Sequence, residues 1–278
     1  YETLIDNLGR RLAELHHALA SDDVGPAFKP ERIDAEDLAA WARSMGENLE
    51  RTLAQLERSR EALPDEVQVL ATALLAQRAM VLRPMSDADA DADADADANA
   101  VGCNALRIRV HGDPALNRML VVENDVFFID FGGHWTGAGG AMADKQSPLT
   151  DVARVVRSFH EVADAAIQAV CIDPSSAVQR RPVVDAIVDW RDRICRRFLN
   201  TYRDALAATG GALSDPASPT QEAALTRLLA LHGASMRLRN VLEQHRDRTL
   251  EPLGVSGVSA ELGAAIRVLS SLAEQEAW

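Results

Sequence analysis

The chain has 278 residues, is 47% hydrophobic but only 4% aromatic, and carries a formal net charge of −13. That length and an Ala/Leu-rich composition allow one or two domains built of packed helices around a sizeable core. The acidic balance argues against a nucleic-acid binder, which needs a basic face to meet phosphates; no apolar run approaches the ~18 residues of a membrane span, and no signal peptide is read at the start.

The opening segment YETLIDNLGRRLAELHHALA sets Leu4, Leu8, Leu12, Leu15 and Leu19 at three- and four-residue spacing, the apolar stripe of a helix. Tyr1 falls directly inside this amphipathic pattern, so a fragment of a longer protein is expected. His16 and His17 on that helix read as packing and solvent-facing residues rather than as a metal or catalytic pair. A loop punctuated by Gly25, Pro26 and Pro30 leads to Asp34, an expected N-cap. From there Leu38, Trp41, Met45, Leu49, Leu53 and Leu56 predict a second helix that stops before Pro64. A third runs from about Pro64 to Arg83, with Pro84 ending it.

Residues 86–100, SDADADADADADANA, follow. Six Asp alternating with Ala repel one another and bury almost nothing, so a disordered insertion over 86–104 is expected. A calcium loop is the sharper alternative, but the tract lacks the turn Gly and the terminal bidentate Glu. The period then changes. LRIRV alternates Leu106, Ile108 and Val110 against Arg107 and Arg109 and predicts a strand. MLVV and VFFI flank the turn Glu123-Asn124-Asp125 and predict a hairpin. Helical periodicity returns beyond Pro148, in pieces near 150–171, 181–208, 219–246 and 258–276. The expected fold class is mainly α with a small β-hairpin element (α+β). It forms a single lobe with a helical part over 1–85, the insertion over 86–104, a loop-and-hairpin part over 105–133, and a second helical part over 134–278. Cys103, Cys171 and Cys195 show no metal spacing and no disulfide framework, consistent with reduced thiols in a cytoplasmic protein.

Polar chemistry converges on the β element. The loop bearing Asp113 enters the hairpin and Asp130 leaves it, so pairing of the strands brings both loops to one end of the ribbon. Phosphoryl transfer needs two such carboxylates: one orients the attacking hydroxyl and accepts its proton, the other holds the magnesium that bridges the nucleotide phosphates. His111-Gly112-Asp113 followed by a short hairpin and Asp130-Phe131-Gly132 resembles the aminoglycoside-phosphotransferase-like kinases, whose catalytic loop has the form HGDxxxxN. LRIRVHGD, IDFGG, KQSPLTDVARVVRSF and LGRRLAELHHAL resemble the carboxy-terminal lobe of bacterial maltokinases, which also occur fused to trehalose synthase. The likeness runs over nearly the whole chain apart from the Ala-Asp tract.

This resemblance implies a protein-kinase-like C-terminal lobe without its N-terminal lobe, with ATP and Mg2+ as cofactors. It implies transfer of the γ-phosphate to the anomeric hydroxyl of maltose. Asp113 would be the catalytic Asp and Asp130 the metal Asp, with His111 and Gly112 shaping the loop. Asp151 would brace that loop through its backbone N–H groups; the alternative is a simple helix N-cap. The second metal-ligand position falls on Arg118, a permanent cation that cannot ligate magnesium, with Asn117 one residue early as the substitute. Where maltokinases continue DFEGEP, this chain has DFGGHW, so Gly132 and His134 stand at the acidic positions. Of the family's acceptor-side EKAxYExRYE pattern, HGASMRLRNV keeps Arg239. With His134 it supplies the substrate-contact candidates, whereas Met236 and Leu238 read as core.

No phosphate-cradling motif is present, and Lys29, in a Pro-rich loop, reads as a surface residue rather than an ATP anchor. The expected partners are a sugar acceptor and an upstream nucleotide lobe or trehalose synthase domain, with neither nucleic acid nor membrane. Two alternatives stand beside this reading: a catalytically degenerate lobe with a structural or regulatory role, and a kinase for glucosamine, another sugar or an aminoglycoside.

Overall fold

The computed structural model describes residues 1–21, 25–33, 35–84, 106–131, 145–172, 180–210, 213, 219–248 and 255–275. The Ala-Asp tract with its disorder and calcium readings, the Asp34 cap, Cys103, Gly132 and His134 lie outside them. The helices are α1 (Glu2–Leu19), α2 (Ala35–Ser59), α3 (Asp65–Ala76), α4 (78–84), α5 (Leu149–Ile172), α6 (Arg180–Thr209), α7 (Pro219–Arg248) and α8 (Val255–Glu274). The strands are β1 (Glu31–Arg32), β2 (Leu106–Arg107), β3 (Met119–Val122) and β4 (Asp125–Phe128). The expected third helix is broken at Gln77, whose side chain reaches Glu274 Oε1 on α8 at 3.1 Å.

Two cores share α5 as their wall. On one side Val152, Val155, Val156 and Phe159 of α5 pack against Leu8 and Leu12 of α1 and Ile194, Phe198 and Tyr202 of α6. On the other, Ala153 meets a cluster built from Leu49, Leu53 and Leu56 of α2, Leu74 of α3, Leu231 and Leu238 of α7 and Leu262 and Leu269 of α8. A helix buried on two faces carries apolar residues at more than one angular position, which is the pattern of VARVVRSF. The α1–α6 crossing is close because Gly9 has no side chain: a Cβ there would lie 3.0 Å from the Phe198 carbonyl oxygen and the Tyr202 nitrogen.

The strands are short. β2 pairs antiparallel with β1, a strand that the Pro-rich loop did not announce, and Ile108 then exchanges both backbone hydrogen bonds with Gln146 at 2.9 and 2.8 Å. β3 and β4 form the expected hairpin, in register Met119↔Phe128 through Val122↔Asp125. Its turn is two residues, not three. Glu123 and Asn124 sit at φ 52° and 66°, the paired positive values of a type I′ turn, whose twist matches that of the strands. Asn7 donates to the Asn124 carbonyl at 2.6 Å and Arg11 grips Asp125 with two bonds at 2.8 and 2.5 Å, so α1 anchors the tip of the ribbon.

Candidate functional site

The loop between β2 and the hairpin is held by one buried carboxylate. Asp151 Oδ2 accepts from the His111 backbone N–H at 2.8 Å and Oδ1 from that of Gly112 at 2.9 Å. Asp151 lies inside α5 rather than at its cap; the first exposed N–H of that helix, Leu149, is met by Ser147 Oγ at 3.3 Å. Gly112 adopts φ 93°, which a side chain would resist. Pro114 closes a tight turn in which the Ala115 N–H reaches the Asp113 carbonyl at 2.8 Å; its fixed φ suits such a turn.

His16, assigned by sequence to packing, completes the brace. It is fully buried, with Nε2 3.1 Å from Asp151 Oδ2 and Nδ1 2.9 Å from the Tyr202 hydroxyl. The Asp151 carboxylate can only accept, which selects the tautomer with hydrogen on Nε2, and in that tautomer Nδ1 accepts from the Tyr202 hydroxyl. The chain Tyr202–His16–Asp151 thus couples α6, α1 and α5 to the loop. Its one sequence signal is a polar residue on an otherwise leucine face.

His111 joins this loop to the next. The Asp113 N–H approaches its Nδ1 at 3.3 Å, so Nε2 carries the hydrogen that goes to the Ile129 carbonyl at 2.9 Å. The imidazole also packs on Phe131, with ring centroids 4.6 Å apart. Ile129 N–H in turn donates to the Arg118 carbonyl at 3.1 Å, extending the ribbon by one step beyond Met119↔Phe128. The Asp113 and Asp130 loops therefore lie at the same end of the hairpin. Asp130 is exposed, sits at φ 59° and makes no ion pair among the described residues. Left-handed backbone at a non-glycine residue costs free energy and concentrates at functional sites.

Asp113 is surrounded by cations. Arg154 Nε donates to its Oδ1, and Arg118 Nη2 stands 3.4 Å from its Oδ2. Burial would raise the Asp113 pKa, but the charge and hydrogen bond of Arg154, with the charges of Arg118 and Arg157, outweigh it and hold the carboxyl below its ordinary value. Arg154 continues to Ser158 Oγ at 2.9 Å and Glu161 Oε2 at 3.3 Å. Glu161 Oε1 also lies 3.5 Å from Arg157 Nε and 3.4 Å from Arg237 Nη1 on α7. Sequence reading missed Arg154, Arg157, Arg237 and Glu161; one helical face of α5 presents 154, 157 and 161, but nothing local says that Asp113 faces it.

The remaining candidates are placed as follows. Arg239 does not enter this network: Nη1 is 3.4 Å from Asn48 Oδ1 and Nε 4.0 Å from Glu243. Leu238 is core and Met236 half-buried. Asn117 is exposed in the 3-10 turn Leu116–Arg118. Lys29 is exposed. Among the described residues no group of three or more His, Cys, Asp or Glu is placed to hold a metal, and no helix is long and apolar enough to cross a membrane.

No protein-family model matches the sequence, and no curated protein does. Solved structures do. A glucosamine kinase in complex with glucosamine, ADP and inorganic phosphate aligns with a TM-score of 0.62 at 20% identity, over 96% of this chain and 50% of that one. Two further crystal forms of glucosamine kinase align with the same score and identity, covering 52% and 49% of their chains. The chain has an α+β kinase-like fold and spans about half the length of these kinases.

Proposed function

We propose that the chain is the carboxy-terminal lobe of an ATP-dependent sugar kinase, with Asp113 orienting the acceptor hydroxyl and Asp130 serving the metal. The observation that carries this reading is the shared scaffold of the two loops. Asp151 holds the backbone of His111 and Gly112, and His111 in turn bonds the residue before an exposed Asp130 in left-handed backbone. Preorganised loops of this kind are what phosphoryl transfer requires, because positioning and charge stabilisation supply most of the catalysis.

Magnesium usually keeps several waters and takes one or two carboxylates plus substrate phosphates. Asp130 with Asn117 fits an ion delivered together with a nucleotide, not one held by this lobe alone, and such an ion would neutralise charge on the transferring phosphoryl group. The nucleotide would be gripped by the other half of the kinase. An uncovered strip on the ribbon, where Leu120, Val122 and Phe127 are exposed, is of the apolar kind that marks an interface. Maltose is the acceptor that the sequence resemblance implies; glucosamine is the sugar bound in an aligned structure.

A second reading, a degenerate lobe with a structural or regulatory role in a trehalose synthase-type protein, is favoured by the arginines on both oxygens of Asp113, which an acceptor hydroxyl must displace. One experiment separates the two. The full encoded protein is titrated with Mg-ATP and assayed for phosphate transfer to maltose, glucosamine and an aminoglycoside. Nucleotide binding, with transfer abolished by Asp113→Asn, supports the kinase; no binding at millimolar Mg-ATP removes it.

A further inference from the structure

Four guanidinium groups, from Arg118, Arg154, Arg157 and Arg237, are linked through only two carboxylates, Asp113 and Glu161. This local excess of two positive charges stands in a chain whose formal charge is −13. Exposed arginines tolerate an excess because water screens them, but three of these are largely enclosed: the side chains of Arg118, Arg154 and Arg157 are only 14–15% exposed. The Arg157 Nε is buried without a hydrogen-bond acceptor, since Glu161 at 3.5 Å is at ion-pair distance but beyond a normal hydrogen bond. Burial and the repulsion of Arg154, only partly offset by Glu161 and Asp113, bring the Arg157 pKa down to about 10. A buried, under-compensated guanidinium is costly. The fold nevertheless makes room for it: at Gly233 on α7 a Cβ would collide with Arg157 Nη1. Arg118 meets a single carboxylate oxygen and has no other acceptor among the described residues.

We infer that Arg118, Arg154, Arg157 and Arg237 form a binding site for a phosphate monoester dianion, with Asp113 and Glu161 as built-in counterions that the ligand partly replaces. A dianion balances the excess charge, and a phosphoryl group offers three acceptor oxygens to planar guanidinium edges, a match that a chloride ion or a neutral sugar lacks. The site shares the Asp113 cleft but does not rest on phosphoryl transfer: it needs neither the nucleotide lobe nor a metal.

The test is calorimetric titration of the chain, in EDTA at fixed ionic strength, with inorganic phosphate and with glucose 1-phosphate, using glucose as the neutral control. Saturable binding of both phosphates and none of glucose is expected; tighter glucose 1-phosphate assigns a sugar-borne rather than a free phosphate. Losing one charge-assisted contact in Arg118→Gln or Arg157→Gln should weaken binding about tenfold. Asp113→Asn, which removes a competing counterion, should tighten it severalfold although the same change would abolish transfer in a working kinase. Wild-type protein that takes up neither phosphate, or an Arg118→Gln variant with unaltered affinity, overturns the inference. Arg118 and Asp113 lie on the loop outside both hydrophobic cores, so their variants keep the test decisive if Arg157→Gln fails to fold.

Discussion

Replacing Asp151 by Asn tests the brace most directly, because the side chain keeps its shape and loses only its charge and one acceptor. Three donors converge on Asp151: the backbone N–H groups of His111 and Gly112 and the imidazole of His16. An amide has one oxygen, so it cannot serve both sides. Its best orientation puts that oxygen where Oδ2 receives His111 and His16, leaving the Gly112 N–H facing an NH2 group. One donor left without an acceptor, together with two bonds that lose their ionic acceptor, costs about 2–4 kcal/mol. Asp151→Ala strands all three donors and should cost more. Urea unfolding followed by far-UV circular dichroism at neutral pH gives the difference from the shift in midpoint at unchanged slope. If Asp151 were merely a helix cap, the loss would be about 1 kcal/mol. A value for Asp151→Asn within about 0.5 kcal/mol of wild type, as for an ordinary surface change, would refute the bracing argument.

Gly9→Ala should destabilise despite the better helix propensity of Ala: the propensity gain of about 1 kcal/mol is set against overpacking of about 1–3 kcal/mol where the new Cβ meets α6 backbone at 3.0 Å, and thermal unfolding reads the net sign. His160 is buried, with its ring nitrogens 3.0 Å from Ser271 Oγ and 2.9 Å from Gln275 Oε1, and burial followed by the charge of Arg191 lowers its pKa from 6.5 to about 3. The neutral ring's contribution is therefore complete above the unfolded pKa and lost as pH falls from about 6.5 toward 3, at up to about 1.4 kcal/mol per pH unit. His160→Gln should flatten the stability profile between those limits; an equally steep profile would disprove the assignment. Asn117→Ala removes the neutral oxygen donor proposed to serve the metal beside Asp130, so in the full encoded protein Mg-ATP should bind more weakly than to wild type; equilibrium titration that shows no loss counts against the proposed metal loop.

Helix periodicity and turn chemistry are local, and they are where sequence alone determined the outcome. The leucine stripe of α1, the Leu38–Leu56 repeat of α2 and the alternation around Glu123-Asn124 specify their elements through backbone preferences within a few residues. Motif order was likewise enough to set the loops of Asp113 and Asp130 at the same end of one hairpin. Boundaries followed less well, because the break at Gln77 and the pairing of Glu31–Arg32 with Leu106–Arg107 depend on distant segments. What only the tertiary structure decided is the electrostatic state of the site. Asp113 meets Arg154 across 41 residues, Asp151 meets His16 across 135, and Arg237 reaches Glu161 from another helix across 76. Charges and hydrogen-bond donors carry no periodic signature, and their partners are chosen by which helix faces pack together. The residues that would perform the chemistry can thus be read along the chain, while the arginines that set its charge appear only when α1, α5, α6 and α7 close around the loop.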